Sequence, residues 1–183
     1  AAGANGSLMP DPIAQLTAEL ADRGSVLLAQ LEIPVDAVAA AADVVGRQGG
    51  RFVLNLSPST TVPNRMLGLA DPLILNETEA SELAGSRIEN AADAEVVARR
   101  LLASSRSVVI TLGGDGVIVA DPSGIVHLPS ARVTVVDTTG AGDAFAGALA
   151  ASLAAGAALR DAVEAGIAAG AAAVQHVGAQ PPR

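Results

Sequence analysis

The stretch SVLLAQLEIPVDAVAAAADVVGRQGGRFVLNL, residues 25–56, decides the fold class. Two short apolar runs, Ser25 to Leu31 and Arg51 to Leu56, enclose an Ala/Val-rich segment that Pro34 opens and Gly49-Gly50 ends. Pro favours the first turn of a helix and Gly the position after its end, so the middle segment is predicted as a helix. Strands that are apolar on both faces are typical of parallel sheets covered on both sides. The stretch therefore predicts a strand–helix–strand unit of an α/β fold.

The same pattern extends to both ends of the chain, with no long linker, charge block or repeat. We expect a doubly wound, mostly parallel sheet with helices on both faces of a single domain. Ligands of such sheets bind beyond the carboxyl ends of the strands, so the residues that follow strands are the informative ones. The other predicted elements are helix Pro10 to about Arg23, strand Pro72–Leu75, helices Glu77–Gly85 and Asn90 to about Ala103, strand Ser107–Leu112, a hairpin of Gly116–Ala120 and Ile125–Leu128, and helices Ala141 to about Ala155 and Leu159 to Ala173.

The composition excludes several classes of protein. Half of the 183 residues are hydrophobic, which is more than disordered chains carry, and the absence of Cys excludes disulfides and Cys-ligated zinc. The 11 basic residues, all Arg, are scattered against 19 acidic residues, so no nucleic-acid partner is expected. The uncharged run Ala144 to Leu159 has 16 residues, which is too short for a membrane span, so no membrane association is expected.

The decapeptide VDTTGAGDAF, residues 136–145, joins an extended segment to a long Ala-rich helix. If the helix begins near Ala141, the free N–H groups of residues 140–143 converge at its positive end, where they can bind a phosphate. Asp143 lies at the same helix start and could accept a proton from a hydroxyl that attacks that phosphate. The structural alternative is a glycine turn followed by an ordinary helix-start carboxylate.

Three further segments that follow strands have both a functional and a structural interpretation. TLGGDG, residues 111–116, could pass under a nucleotide, or could only lead into a hairpin. Asn76 and Glu79 could present an amide to phosphate and a carboxylate to hydrated Mg²⁺, or could form a helix-capping box. Glu32 and Asn55 could hydrogen-bond a polyol, or could be solvated strand ends.

Together these motifs, in this order, resemble the PfkB group of carbohydrate kinases, the ribokinase type. Residues 137–143 resemble the C-terminal signature of that group, residues 76–79 its N-x-x-E motif and residues 111–116 its nucleotide loop. Within the group, Gly3-Ala4-Asn5, residues 30–34 (QLEIP) and residues 178–181 (GAQP) are more similar to ribokinases than to fructokinases or adenosine kinases.

The resemblance implies an ATP-dependent kinase that transfers the γ-phosphoryl group to the 5-hydroxyl of D-ribose. It implies that Asp143 is the base that contacts the sugar, and that Glu32 binds ribose while Glu79 organises Mg²⁺. The implied anion hole consists of Gly140, Ala141 and Gly142. The implied ATP contacts are Asn76, Thr111, Leu112, Gly113, Gly114, Asp115, Gly116 and Gly142.

The resemblance also implies a monovalent cation, usually K⁺, beside the anion hole. The matching positions are Asp137, Thr139, Ala173, His176 and Gly178. The chain departs from the ribokinase pattern at three positions: His176 replaces an Arg, Pro182 a Ser, and Ile167 a His or Asn that meets the nucleotide.

Residues 1–183 are expected to be the C-terminal part of a single ribokinase-like domain, without the N-terminal sugar loop and β lid. The full-length parent is expected to be a cytoplasmic homodimer, and the chain alone to be inactive. Two alternatives stay open: a nucleotide-binding module without catalysis, and a PfkB kinase for another sugar or nucleoside. A dinucleotide-binding oxidoreductase is disfavoured because the GxGxxG spacing is missing.

Overall fold

The computed structural model describes residues 3–179 and contains one six-stranded sheet. The strands are β1 (Val26–Ala29), β2 (Arg51–Asn55), β3 (Ala70–Asn76), β4 (Val108–Thr111), β5 (Val117–Asp121) and β6 (Gly124–Leu128). They lie side by side in sequence order; β1 to β4 are parallel, and β5 and β6 continue the sheet antiparallel. The mostly parallel sheet and the terminal hairpin predicted from the sequence are confirmed.

Seven α-helices and two short 3-10 helices connect or cover these strands within the described residues. The α-helices are α1 (Pro10–Leu20), α2 (Val35–Gln48), α3 (Asn64–Leu67), α4 (Glu77–Ala84), α5 (Ala91–Leu101), α6 (Ala141–Ala154) and α7 (Leu159–Ala173), and the 3-10 helices are Gly3–Ser7 and Gly113–Asp115. The sequence did not predict α3 or the 3-10 helices, because one turn is too short to show an apolar period.

Helices cover both faces of the sheet, as predicted. Alternate residues of a strand face opposite sides, so the sheet contributes to two cores. On one face Leu54, Leu73 and Ile110 pack in a core with α2, α4 and α5. On the other face Val53 and Ile74 pack in a core with α6 and α7. The crossovers between the parallel strands all lie on the first face, and the second face is covered by the last two helices.

The boundaries of the elements follow local chemistry. Helix α2 ends at Gly49, which has φ 78° and donates its N–H to the carbonyl oxygens of Val45 and Gly46, the left-handed end that glycine favours. Strand β1 is shorter than predicted, because the chain leaves the sheet after Ala29 and the Leu31 N–H donates instead to the Ser57 carbonyl at 2.8 Å.

Helices α6 and α7 pack closely against each other. A Cβ added at Gly166 of α7 would lie 2.9 Å from two ring atoms of Phe145, so the backbone of α7 approaches this ring directly. Within residues 3–179, none of the helices combines the length and the apolar composition that crossing a bilayer requires.

Candidate active site

The carboxyl ends of the four parallel strands meet at one edge of the sheet, and each carries a polar side chain there. Gln30 follows β1, Asn55 ends β2, Asn76 ends β3 and Thr111 ends β4. All four line one small cavity of about 140 Å³, together with Asp143 of α6. The polar side chains that follow the four strands therefore lie together at one edge of the sheet.

The N-terminus of α6 opens onto this cavity. Gly140 caps the helix with φ 77°, and Asp143 lies in the first turn. The expectation of four free N–H groups fails at Ala141, whose N–H donates to the Thr138 carbonyl at 3.2 Å because the chain makes a tight turn into the helix. In residues 3–179 no backbone acceptor is found for the N–H groups of Gly140, Gly142 and Asp143, so these three remain for an anion.

Asp143 is exposed, and its side chain contacts the end of the first strand. Gln30 donates a hydrogen bond from Nε2 to the Asp143 Oδ1 atom at 2.7 Å. The sequence interpretation chose Glu32 in this segment and did not assign Gln30. In the structure Glu32 is exposed, and it lines neither of the two cavities described in this section.

Asn76 and Glu79 form the capping box at the start of α4. The Glu79 N–H donates to Asn76 Oδ1 at 2.9 Å, and the Asn76 N–H donates to Glu79 Oε2 at 2.8 Å. Glu79 is buried, with 7% of its surface exposed, yet both residues line the small cavity. The structure thus contains the helix-capping box that the sequence suggested. In this arrangement Asn76 Nδ2 and Glu79 Oε1 make no hydrogen bonds to the described residues.

The loop 111–116 connects β4 to β5 through a 3-10 turn and borders a second, larger cavity of about 550 Å³. Thr111, Gly142 and Phe145 line both cavities, so the two are neighbours. A volume of this size is typical of small-molecule sites. The residues that line the large cavity are Thr111, Gly113, Gly114, Gly116, Val117, Ser130, Ala131, Arg132, Val133, Val135, Thr138, Ala141, Gly142, Phe145, Ile167, Gly170, Ala171 and Val174.

Three of the predicted nucleotide contacts do not line the large cavity, and the first of them, Asn76, lines the small cavity instead. Leu112 is buried in the core, with 5% of its surface exposed. The Asp115 backbone carbonyl lies 2.6 Å from His127 Nε2, a contact that ties the loop to β6. Arg132, which the sequence interpretation did not assign, is the one charged side chain that lines the cavity among the described residues. Ile167 lines it as an apolar side chain.

The predicted cation residues lie in the loop before α6 and in the segment from the end of α7 onward, and Asp137 joins the two. Asp137 Oδ1 accepts hydrogen bonds from the Thr139 N–H at 2.9 Å and hydroxyl at 2.7 Å, and Oδ2 accepts from the Gly178 N–H at 2.9 Å. The Gly178 hydrogen bond, followed by those from Thr139, lowers the pKa of Asp137 to about 2. The carboxylate therefore remains an anion at neutral pH.

The remaining cation candidates lie in the same region. The His176 N–H donates to the Ala173 carbonyl at 3.3 Å, and the His176 side chain is exposed. Among the described residues there is no group of three acidic or imidazole side chains that could hold a metal ion. Residues 180–182, with the predicted Gln180, Pro181 and Pro182 positions, lie outside the described part of the chain.

Comparison with known proteins agrees with this geometry. A family model described as "pfkB family carbohydrate kinase" matches residues 10–183. The chain belongs to the pfkB family of carbohydrate kinases. Two pfkB-type relatives of known sequence are the ribokinases of Staphylococcus aureus, 34% identical over 152 residues, and Lactococcus lactis, 31% identical over 178 residues. The matches cover 82% and 97% of this chain.

A solved structure of this family, the Arabidopsis thaliana ribokinase complexed with ribose and ATP, superposes with a TM-score of 0.86 at 28% identity. The match covers 98% of this chain and 59% of the Arabidopsis chain. The matches to the two bacterial ribokinases cover 50% and 56% of those proteins. The chain thus spans about half the length of the curated relatives it matches.

Proposed function

We propose that the protein is the C-terminal part, residues 1–183, of a single-domain kinase that transfers the γ-phosphoryl group of ATP to the 5-hydroxyl of D-ribose. The observation that most supports this proposal is that the small and the large cavity adjoin each other. There Asp143 and the N-terminus of α6 lie beside a cavity large enough for a nucleotide. A base, an anion-binding helix end and a nucleotide-sized space are the parts that phosphoryl transfer to an alcohol requires.

Asp143 is the proposed general base. Its carboxylate accepts the proton of the sugar hydroxyl as the hydroxyl oxygen bonds to the γ-phosphorus, and the bond from that phosphorus to the β-phosphate oxygen breaks to release ADP. The N–H groups of Gly140, Gly142 and Asp143 stabilise the charge on the transferred group. Ala141 shapes the turn, since its N–H is already bonded to Thr138.

The nucleotide is proposed to occupy the large cavity, with its phosphates toward Asn76 and the α6 N-terminus. A Cβ added at Gly113 or Gly114 would meet no atom within 4 Å, so the loop backbone there can approach the nucleotide without side chains between them. Arg132, the one charged side chain that lines this cavity among the described residues, supplies a cation for phosphate. Ile167, which also lines this cavity, gives the purine base of the nucleotide an apolar contact.

The residues present fit a magnesium ion that is held mainly by the nucleotide. Mg²⁺ keeps several waters and needs one or two carboxylates besides phosphates, and Glu79 Oε1 faces no donor among the described residues. Glu79 would orient this hydrated ion, which neutralises phosphate charge when bound. For K⁺, Asp137 and the backbone oxygens of Thr139, Ala173, His176 and Gly178 would supply an oxygen-only donor set.

The sugar assignment rests on the resemblance to ribokinases and on the proposed contact of Glu32. We assign a cytoplasmic homodimer to the full-length kinase, with ATP as donor and a small sugar as acceptor. Comparing turnover with ribose, fructose and adenosine distinguishes ribokinase specificity from fructokinase-like and adenosine kinase-like specificities.

A second candidate is a nucleotide-binding module without catalysis. It is favoured by one observation: Glu32, the proposed ribose contact, lines neither cavity, so the sugar side is less complete than the nucleotide side in residues 3–179. This candidate predicts that the 183-residue chain binds ATP in calorimetry but forms no sugar phosphate.

The test measures ADP release and formation of the phosphorylated acceptor, with ribose, fructose and adenosine as acceptors, for the full-length wild-type kinase and its Asp143→Asn variant. Loss of a positioned base costs about 10²- to 10⁴-fold in rate, so Asp143→Asn is expected to lose turnover by that factor while it retains ATP binding. Equal turnover of the two proteins would refute the assigned role of Asp143. Failure of the wild type to bind ATP would refute both candidate functions.

A further inference from the structure

Gln30 makes a direct contact with the proposed base. Its Nε2 atom lies 2.7 Å from Asp143 Oδ1, although the two residues are 113 positions apart in the sequence. A carboxylate only accepts hydrogen bonds, so the amide nitrogen of Gln30 must face it. Within residues 3–179 this is the one side-chain hydrogen bond made to Asp143.

The backbone that carries Gln30 is fixed on both sides. Before it, Ala29 pairs with Leu54 in the sheet. After it, Leu31 is buried and donates its N–H to the Ser57 carbonyl at 2.8 Å. The donor is therefore presented from an ordered strand end, which suits a contact that must hold a reacting group in one geometry.

We infer that Gln30 is a positioning residue that holds one oxygen of Asp143 and leaves the other oxygen free for the acceptor hydroxyl. The inference rests on the proposed role of Asp143. A carboxylate at an exposed helix start can adopt several rotamers, and the neutral amide selects one of them without introducing a charge that would compete with phosphate.

The kinetic test, in the full-length kinase, replaces Gln30 with Met, which keeps the length of the side chain and removes the donor. Misplacement of a reacting group by about 1 Å can cost about 10²-fold in rate, so kcat is expected to fall about tenfold to a hundredfold. The KM for ATP and the ATP affinity should not change, because Gln30 does not line the large cavity. The matched control is Gln15→Met, which removes another Gln-to-carboxylate bond, from Gln15 Nε2 to Glu19 Oε1 at 3.2 Å, on α1.

The outcomes separate this inference from the proposed function. If Asp143→Asn retains wild-type turnover, the role of the base fails, and the inference fails with it. If Asp143→Asn loses turnover but Gln30→Met retains it, the inference alone is overturned. A kcat loss in Gln30→Met that is matched by Gln15→Met also overturns it.

A second measurement decides the contact even if the 183-residue chain forms no sugar phosphate. In ¹⁵N NMR spectra, the side-chain amide signals of Gln30 are expected to move toward the positions of solvent-exposed Gln residues when Asp143 is changed to Ala. The Gln15 signals serve as the internal control and should stay in place. Gln30 signals that do not respond to Asp143→Ala would overturn the inference.

Discussion

The turn that leads into β1 is held by the carboxylate of Asp22. Its Oδ1 atom accepts hydrogen bonds from the Ser25 hydroxyl and the Gly24 N–H, both at 2.9 Å. These bonds, that of the Ser25 side chain first, hold the pKa of Asp22 below its usual value of 3.8. The ionised form is thus favoured in the folded chain. Its stabilisation is present above pH 3.8 and is lost as the pH falls through the lower folded value.

Asp22→Asn tests this linkage, because it keeps an oxygen acceptor and removes the charge. We expect a slightly lower melting temperature than the wild type at neutral pH, with the difference closing below pH 3.8. The effect is small because the carboxylate is exposed and screened by solvent. Thermal unfolding followed by circular dichroism between pH 7 and pH 3 measures it. Glu82→Gln, an exposed carboxylate of α4, should follow the wild type, and a difference that does not vary with pH would contradict the linkage.

At the same scale, the sequence indicated most of the polar residues that line the small cavity. It did not indicate two residues, Gln30 and Arg132, that only the tertiary structure brings to the cavities. Asn55, Asn76 and Thr111 were predictable because each ends an apolar strand, and the ends of parallel strands share one edge. Gln30 was not singled out, because the sequence does not show that the chain leaves the sheet after Ala29. Arg132 lies in an irregular segment, where no periodicity indicates which way a side chain faces.

At the scale of elements, helices with clear end signals were predicted within a few residues. Pro34 and Gly49 delimit α2, and α7 has the bounds expected from its Ala-rich run. Helix α3 was missed because four residues after Pro63 carry no period, although Met66 and Leu67 are buried. Packing, rather than local pattern, makes that turn helical.

The contact between α6 and α7 positions Phe145, which lines both cavities. Gly166 leaves room for Phe145, whose ring lines the small and the large cavity. A Cβ at Gly166 would also lie 3.0 Å from the Phe145 carbonyl oxygen, which cannot rotate away as a side chain could. The helices could accommodate an added methyl group there only by moving apart.

Gly166→Ala is therefore expected to destabilise the protein by about 1–3 kcal/mol, the usual cost of overpacking a core. It should also weaken ATP binding, since the Phe145 ring is displaced. Gly147→Ala in α6 is the matched control, because a Cβ there meets no atom within 4 Å. Ala also raises helix propensity, so this variant should be as stable as the wild type or up to about 1 kcal/mol more stable. Urea unfolding compares the two, and equal effects would contradict the packing argument.

At the scale of the whole molecule, the edge of the sheet formed by β1 is left open by the described residues. The apolar strand β1 lies at the edge of the sheet, where none of the described residues pairs with the outer side of its backbone. Leu28 is 36% exposed, and on α1, which packs against α2, Leu16 is 52% and Leu20 75% exposed. An apolar edge strand with free backbone groups is a template for pairing with another chain.

We therefore expect the 183-residue chain to self-associate through β1 as its concentration rises. Leu28→Lys places a charge on the edge, a device that blocks strand addition, and it should shift the sedimentation velocity profile toward monomer. Val96→Lys is the control, because Val96 is 60% exposed on α5, away from β1. It should associate like the wild type. A wild type that remains monomeric at high concentration, or a Val96→Lys variant that dissociates as fully as Leu28→Lys, would show that the β1 edge does not drive association.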